Sequence, residues 1–174
     1  GFPIELTIEL AGEKDKKVDV AAFEKEFKKH QNLSRRASQK TKGGLAVQSD
    51  QAAKLHTATH LLHQALRDVL GSHVHQTGSH ITDIRLRFDF SHSQKMTDDQ
   101  IKKVEAIVNQ KIKDNLKVNK KVMSKAAADQ LGAIGLFDEK YPELVNVYYI
   151  GENDEVEKAY SKEFCGGPHV QSTR

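Results

Sequence analysis

The feature that most constrains this chain is a set of potential metal ligands that lie far apart in the sequence. His56 and His60 are spaced i, i+4 among good helix formers, so a helix would place both imidazoles on one face, one turn apart. The chain's only cysteine, Cys165, is followed by His169 across a segment with two glycines, which permit a tight turn. A fold that brings the helix and the turn together can therefore offer one metal ion a His, His, Cys, His ligand set.

Zinc is the metal that this ligand set favours. Imidazole nitrogens and a thiolate suit its borderline softness and tetrahedral geometry, whereas calcium and magnesium prefer oxygen ligands. Each half alone is a weak signal, since an i, i+4 histidine pair is commonly a solvated helix face. Because the lone cysteine lies in the second half, we predict a zinc site formed by His56, His60, Cys165 and His169. His63 points toward the same helix face and stays an alternative ligand.

Length and composition limit the class of protein. With 174 residues and 37% hydrophobic content, the chain can bury one core and carry a small helical appendage. A single cysteine excludes an internal disulfide and fits a reducing compartment. No apolar run is long enough to cross a membrane, and the opening residues show no signal-peptide pattern. We expect a cytoplasmic protein with no membrane partner.

The first part of the chain, residues 1–42, is predicted to be a helical extension that ends in a linker at Thr41–Gly44. Residues 1–10 fit either a helix or a strand, and Asp19 is expected to cap a helix that continues to about Ala37. Cations accumulate toward its end without any acidic residue: Lys28, Lys29, Arg35, Arg36, Lys40 and Lys42. They indicate either a solvated helix end, where the macrodipole favours cations, or a surface that binds nucleic-acid phosphates.

Residues 43–174 are predicted to form the second domain. Its principal helix starts at Ser49 or Asp50 and stops at Gly71, with an apolar stripe beside the histidine face, so we expect the metal site at the edge of the core. Strands are expected near 74–77 and 84–90, joined by a turn at 78–83, and again at 118–123, 145–150 and 159–164. Helices are expected after Thr97 and from 124 to 131. The predicted fold class is α+β, with a two-layer mixed sheet packed with helices around the zinc site.

Several segments resemble a known family. The stretches that carry the resemblance are His56–His63, Gln76–Ser79, Arg85–His92 and Cys165–Val170, which are similar to the editing domain of bacterial alanyl-tRNA synthetases. The opening residues 1–7 and the segment 34–37 resemble the end of the helical region that precedes editing in the same enzymes. The resemblance covers nearly the whole chain, with its motifs in the family's order.

Two departures from the family pattern stand out. A sizeable β-barrel segment commonly precedes the zinc histidines in this family, but here only residues 38–54 are available, so the barrel is expected to be missing. The chain also has Pro168 where the family usually has threonine before the last histidine. Proline there resembles the editing domain of threonyl-tRNA synthetases, which stays the alternative family, although the opening motif and the strand Arg87–Phe90 look alanyl.

The resemblance implies hydrolysis of tRNA(Ala) mischarged with serine or glycine, within a longer synthetase chain that provides the remaining domains. A small aminoacyl pocket cannot reject these amino acids well enough by binding alone, so a second site must clear the errors. Gln76 and Thr77 are the candidates for contact with the substrate, and the backbone N–H groups of Gly166 and Gly167 are candidates for an oxyanion site. Zinc would either orient the substrate and polarise water or, with all four ligands bound, only build the pocket.

Other functions are compatible with the same residues. The chain can be a tRNA-binding module with a structural zinc, or an inactive fragment that lacks the barrel. A zinc peptidase is disfavoured, because the stretch from His56 to His60 lacks the glutamate of the HExxH motif. The sequence shows no ATP-binding signature, so we do not expect this chain alone to aminoacylate tRNA.

Overall fold

A computed structural model describes residues 4–29, 49–136 and 141–174 of the chain. The chain divides into two compact units, Gly1–Lys40 and Thr41–Arg174. The α+β class is confirmed, because both helices and strands are present. The domain boundary between residues 42 and 43 stays a prediction. No helix in the described ranges is both long enough and apolar enough to cross a membrane.

The first unit contains helix α1 (Ile4–Gly12) and helix α2 (residues 20–29). Asp19 caps α2 as expected, since its Oδ1 accepts a hydrogen bond of 2.9 Å from the N–H of Ala22. Phe23 and Phe27 stack along the helix with their ring centroids 5.6 Å apart. Of the six predicted phosphate-binding cations, Lys28 and Lys29 are exposed on α2, while Arg35, Arg36, Lys40 and Lys42 lie outside the described residues.

The second unit is built on helix α3 (Asp50–Leu70). Ser49 is the N-cap and accepts a hydrogen bond from the N–H of Ala52, and Gly71 ends the helix with a φ of 117°, a value that disfavours side chains. The environment of its histidines differs from the sequence prediction. His60 is only 3% exposed, so the histidine face is an interior face rather than the edge of the core.

A hairpin follows α3 and consists of β1 (Gln76–Ile81) and β2 (Leu86–Phe90), which pair antiparallel. The predicted turn at 78–83 was wrong, because β1 continues through Gly78 to Ile81 and the chain reverses between Thr82 and Arg85. Burial explains the difference: Ile81 is fully buried and packs against Ala52 of α3, which extends the strand beyond the glycine. Gly78 instead lies at an irregularity in the pairing.

The remaining elements are α4 (Asp98–Lys113), β3 (Lys117–Ser124), α5 (Lys125–Gln130), β4 (Leu144–Gly151), a short 3₁₀ helix (Val156–Lys158) and β5 (Ser161–Phe164). Helix α4 begins with the expected capping box between Thr97 and Gln100. Strands β3, β4 and β5 form an antiparallel sheet in that order, separate from the hairpin. A single parallel bridge between Ile134 and Glu163 extends the sheet beyond β5.

The two faces of the three-stranded sheet are covered by different helices. On one face, Ile150 packs with Leu61 of α3 and with Leu116. On the other face, Val145 and Val147 pack against Ala128 of α5. Because side chains alternate between faces along a strand, the residues of β5 that point toward α3 are the ones that reach its histidines.

Candidate metal centre and pocket

The four predicted ligands lie together. His56 and His60 come from α3, Cys165 and His169 come from the turn after β5, and their ligand atoms all lie within 4.8 Å of one another. The sulfur of Cys165 is 3.4 Å from Nε2 of His56 and 3.3 Å from Nε2 of His169. Zinc bonds of about 2.3 Å to sulfur and about 2.1 Å to nitrogen at a tetrahedral angle put these atoms about 3.6 Å apart. The cluster can therefore hold one metal ion.

The hydrogen bonds of two histidines direct their free nitrogens at the cluster. Nδ1 of His56 donates to the carbonyl oxygen of Pro168 at 2.9 Å. Nδ1 of His169 lies 3.1 Å from the hydroxyl oxygen of Thr57, which donates its own hydrogen to the carbonyl of Ala53 and therefore accepts from the imidazole. In both rings the unprotonated Nε2 thus faces Cys165. Partners of this kind commonly orient metal-binding histidines.

His60 also has a ring nitrogen that is free to bind a metal ion, but no hydrogen bond from the described part of the chain orients this ring as in His56 and His169. Its Nδ1 is buried and has no hydrogen-bond partner among the described residues, while Nε2 lies 3.6 Å from Oε2 of Glu163. A buried polar atom without a partner is destabilising, and natural proteins rarely keep one. A metal ion at the cluster would give this ring the partner that the protein does not provide.

Burial sets the protonation states of the ligands. Desolvation lowers the pKa of His56, lowers that of His60 well below its usual value and lowers that of His169 to about 3, with neighbouring imidazoles adding to the effect for His60 and His169. The imidazoles are therefore neutral at pH 7, as metal binding requires. Burial also raises the pKa of the Cys165 thiol to about 12, against the opposing N–H groups of Gly167 and Gly166. A cation is needed to hold this residue as a thiolate.

The backbone N–H groups of the two glycines in the turn are hydrogen-bonded to the sulfur of Cys165. The N–H of Gly167 donates to Sγ of Cys165 at 3.4 Å. Gly167 has a φ of 69°, and a Cβ there would lie 2.7 Å from the hydroxyl oxygen of Tyr148, so both the turn and the close approach require glycine. Gly166 and Gly167 do not line the pocket beside the cluster. Their role as an oxyanion site stays a prediction, and the geometry offers thiolate stabilisation as the local explanation.

A small pocket of about 30 Å³ adjoins the ligands. Its polar side includes Thr59, His63, Gln76 and Glu163, and its apolar side is formed by Phe164 and residues 134–136. Gln76 is half-buried there and donates to Ser79 at 3.0 Å. The neighbouring Thr77 is exposed and does not line the pocket. The structure thus separates the two predicted substrate residues: the pairing of β1 with β2 is irregular between Gln76 and Gly78, and Thr77 lies at this irregularity.

Glu163 is the residue that the sequence interpretation missed. Its carboxylate is buried, with Oε1 lying 3.1 Å from Nδ1 of His63 and Oε2 lying 3.6 Å from Nε2 of His60. Burial raises the pKa of Glu163, while the hydrogen bond from His63 opposes the shift. The signal was available, since a strand that points Cys165 at the metal also points the residue two positions earlier to the same side. His63, the alternative ligand, pairs with this carboxylate and is not part of the cluster.

Comparisons with known proteins show which proteins this chain resembles. The family model described as "Threonyl and Alanyl tRNA synthetase second additional domain" matches residues 145–174, which include Cys165 and His169. The alanine–tRNA ligase of Borreliella burgdorferi is 55% identical over 174 residues, covering 99% of this chain and 28% of the relative. The resemblance to alanine–tRNA ligases is confirmed. The enzyme of Treponema denticola is 53% identical with the same coverage, so the chain spans less than a third of these ligases.

These ligases also bear on the expected absence of the barrel. The alignments with the Borreliella burgdorferi and Treponema denticola ligases extend over 174 residues and include 99% of this chain, which leaves no room for an inserted segment. The ligase of Bacillus pumilus is 50% identical over 120 residues, only 69% of this chain. The short connection before His56 and His60 is therefore shared with the first two ligases.

Proposed function

We propose that this chain is the editing module of an alanine–tRNA ligase and that it hydrolyses the ester bond of Ser-tRNA(Ala) and Gly-tRNA(Ala). The observation that supports it best is the buried His, His, Cys, His cluster beside a small, partly polar pocket, in a chain that aligns over 99% of its length with such ligases. The longer ligase would provide aminoacylation and the rest of the tRNA contacts. A cytoplasmic location follows from that role.

Zinc is the metal that we assign to the cluster, because the set combines one thiolate with imidazoles at tetrahedral spacing. Zinc bound there would supply positive charge that holds Cys165 as a thiolate and polarises nearby groups. With all four residues bound, the coordination shell of zinc would be complete, so we assign the metal mainly to building the pocket. The reaction itself then depends on side chains that line the pocket.

Glu163 is the side chain best placed to accept a proton. Hydrolysis of an ester requires a water molecule to attack the carbonyl carbon and to lose a proton as it does so. Glu163 lines the pocket, and because burial raises its pKa, its carboxylate is a stronger base than that of an exposed glutamate. The hydrogen bond from His63 holds the carboxylate in place. We assign Glu163 as the general base and His63 as its positioning residue.

The size and polarity of the pocket suit a small, hydroxylated substrate. The pocket volume of about 30 Å³ is small, which favours a small amino-acid side chain. A site that binds a hydroxyl by hydrogen bonds rejects an analogue that lacks it. Gln76 is the residue that we assign to the serine hydroxyl, because its amide both donates and accepts.

A deacylation assay tests the proposal. The full chain, loaded with zinc, should release serine and glycine from tRNA(Ala) while leaving Ala-tRNA(Ala) intact, and removal of the metal by chelation should abolish the release. A second candidate function, a tRNA-binding module with a structural zinc, is favoured by the complete ligand shell. Binding of tRNA(Ala) without release of serine from the zinc-loaded chain would select that function instead.

A further inference from the structure

One row of side chains crosses the three-stranded sheet from the pocket to its outer strand, β3. In the antiparallel pairing, Glu163 of β5 lies opposite Tyr148 of β4, and Tyr148 lies opposite Lys120 of β3. Directly opposed residues point to the same face, so the three share the face that meets α3. Glu163 is buried in the pocket, the ring of Tyr148 lies 4.4 Å from that of His169, and Lys120 is exposed. The site is therefore continuous with an exposed cation.

Two exposed apolar residues, Val122 and Leu144, lie further along the same face of the sheet. Val122 follows two positions after Lys120 on β3, and Leu144 lies opposite Ser124 on β4, so both point to the same face as Lys120. Val122 is 59% exposed and Leu144 is 63% exposed. We call the three residues Lys120, Val122 and Leu144 the strand surface. The strand surface lies close to the turn that carries Cys165. The N–H of Cys165 donates to the carbonyl of Asn146 on β4, and Asn146 lies opposite Val122 on β3.

Among the described residues, no carboxylate pairs with Lys120 or with its neighbour Lys121, whereas two other lysines near the ends of β3 are paired. Lys117 lies 3.8 Å from a carboxylate oxygen of Asp154, and Lys125 lies 2.6 Å from one of Asp129. A cation that no carboxylate neutralises is available to an external anion. Lys121 is likewise exposed, but it points to the opposite face of the sheet, away from the row.

We propose that the strand surface binds the single-stranded 3′ end of the tRNA, with Lys120 on a phosphate and Val122 and Leu144 against a base. The proposal rests on the proposed function, because the ester in the pocket joins the amino acid to that end. Strand spacings of about 4.8 Å put the backbones of Lys120 and Glu163 about 10 Å apart, within reach of the nucleotides that precede the ester. Single-stranded nucleic acids are commonly bound by cations that follow the phosphates and by aromatic rings on which the bases stack, and exposed aliphatic side chains offer the bases an apolar contact without stacking.

The test compares Lys120→Gln with Lys121→Gln, which removes the same charge one residue away on the other face. Affinity of the full zinc-loaded chain is measured for uncharged tRNA(Ala) and for the same tRNA without its three 3′-terminal nucleotides, over a range of salt concentrations. Lys120→Gln should weaken binding of the intact tRNA about fivefold and lower the slope of log affinity against log salt by about 0.7, the value for one phosphate of a single strand. Lys121→Gln should change the affinity less than about twofold.

Two further comparisons complete the test. The difference between the two lysine variants should disappear with the shortened tRNA, and Val122→Ser should weaken binding of the intact tRNA with no change in salt slope, because it removes no charge. Three outcomes would overturn the proposal. The two lysine substitutions could have equal effects, the effect of Lys120→Gln could persist with the shortened tRNA, or the unsubstituted chain could fail to bind. Unchanged affinity in all variants would overturn it too, and would favour a protein segment as the occupant.

The proposed function is judged separately, by deacylation of Ser-tRNA(Ala) with the unsubstituted chain. If serine is released but the two lysine variants bind tRNA equally, only the strand surface is wrong. If serine is not released but the lysine variants differ as expected, the strand surface stands and the hydrolytic function fails.

Discussion

The contact between α3 and β5 has two ends with different chemistry. At one end, His56 and His60 meet Cys165 and His169 in a cluster that can hold a metal ion. At the other end, one turn along the same helix, His63 meets the carboxylate of Glu163 at 3.1 Å. The histidines are of one type and are similarly buried. The difference between the two ends therefore comes from the residues that face the histidines, Cys165 and His169 at one end and Glu163 at the other.

Both contacts can form because the distance between alternate residues of a strand is similar to the rise of one helical turn. Glu163 and Cys165 are two residues apart on an extended segment, about 6.6 Å, and a helical turn rises about 5.4 Å. A strand that crosses the helix can thus present a carboxylate to one turn and a thiol to the next. His60 lies between the ends, since it belongs to the cluster and also has Nε2 3.6 Å from Glu163.

The largest effect is expected from Cys165→Ser, which removes the thiolate from the metal end. A serine hydroxyl is a poor zinc ligand, and the binding free energy of such sites is shared among few ligands, so we expect zinc affinity to fall at least about a thousandfold. The helix content should stay, because α3 is capped and packed independently of the thiol. Elemental analysis checks the result, and one zinc per chain in the variant would remove Cys165 from the ligand set.

A matched pair of substitutions separates the two ends directly. His60→Gln should lower zinc affinity roughly a hundredfold, because it removes a ligand. His63→Gln should lower it less than about tenfold, because His63 acts only through Glu163. Competition with a chromophoric chelator measures both. Equal losses in the two variants would contradict the division of α3 into a metal end and a carboxylate end.

The structure also shows which parts of the fold were accessible from the sequence. The caps at Ser49 and Thr97 were predicted because capping depends on a few adjacent residues. The cluster of His56, His60, Cys165 and His169 was predicted because metal chemistry restricts residue types and spacing. The end of β1 was not, since its extension depends on Ile81 packing against Ala52, a contact distant in sequence. Glu163 was missed because its spacing of two from Cys165 indicates only the side of the strand on which it lies, and its pairing with His63 depends on a contact between segments distant in sequence.

The metal end should respond to pH through one proton. In the metal-free chain the pKa values of His56, His60 and His169 lie below 6.5, so these rings carry no proton that zinc must displace at pH 7. The thiol pKa of about 12 means that Cys165 must lose one. Zinc affinity should therefore rise about tenfold per pH unit between about pH 6.5 and 8. Chelator competition at several pH values measures the slope, and a slope near zero would show that the thiol is already ionised.

The hydroxyl of Thr57 tests how far the metal end depends on its support. It accepts from Nδ1 of His169 and from the N–H of Val170. Thr57→Val keeps the shape of the side chain but removes this acceptor, so we expect about a tenfold loss of zinc affinity. Thr59→Val is the matched control two residues away, since the hydroxyl of Thr59 donates only to the carbonyl of Leu55. An equal loss in both variants would indicate a general effect on α3.

The smallest expected effect concerns selectivity in the pocket next to the carboxylate end. Gln76 lines this pocket and Thr77 does not, although the two are adjacent in β1. If the amide of Gln76 binds the serine hydroxyl, Gln76→Ala should slow hydrolysis of Ser-tRNA(Ala) about fivefold, the value of one net hydrogen bond. Hydrolysis of Gly-tRNA(Ala) should be nearly unchanged, because glycine has no hydroxyl to lose.

Thr77→Val is the control for that experiment, because the exposed Thr77 shares the strand but not the pocket. It should leave both rates unchanged. Single-turnover deacylation, with the protein in saturating excess over the charged tRNA, separates this effect from tRNA binding. The zinc content of each variant is measured as well. If Gln76→Ala slows both substrates equally, Gln76 serves the shared ester chemistry or the tRNA end. If Thr77→Val alone changes the ratio of the two rates, the substrate contacts β1 at the exposed Thr77. Serine is then not recognised at the carboxylate end.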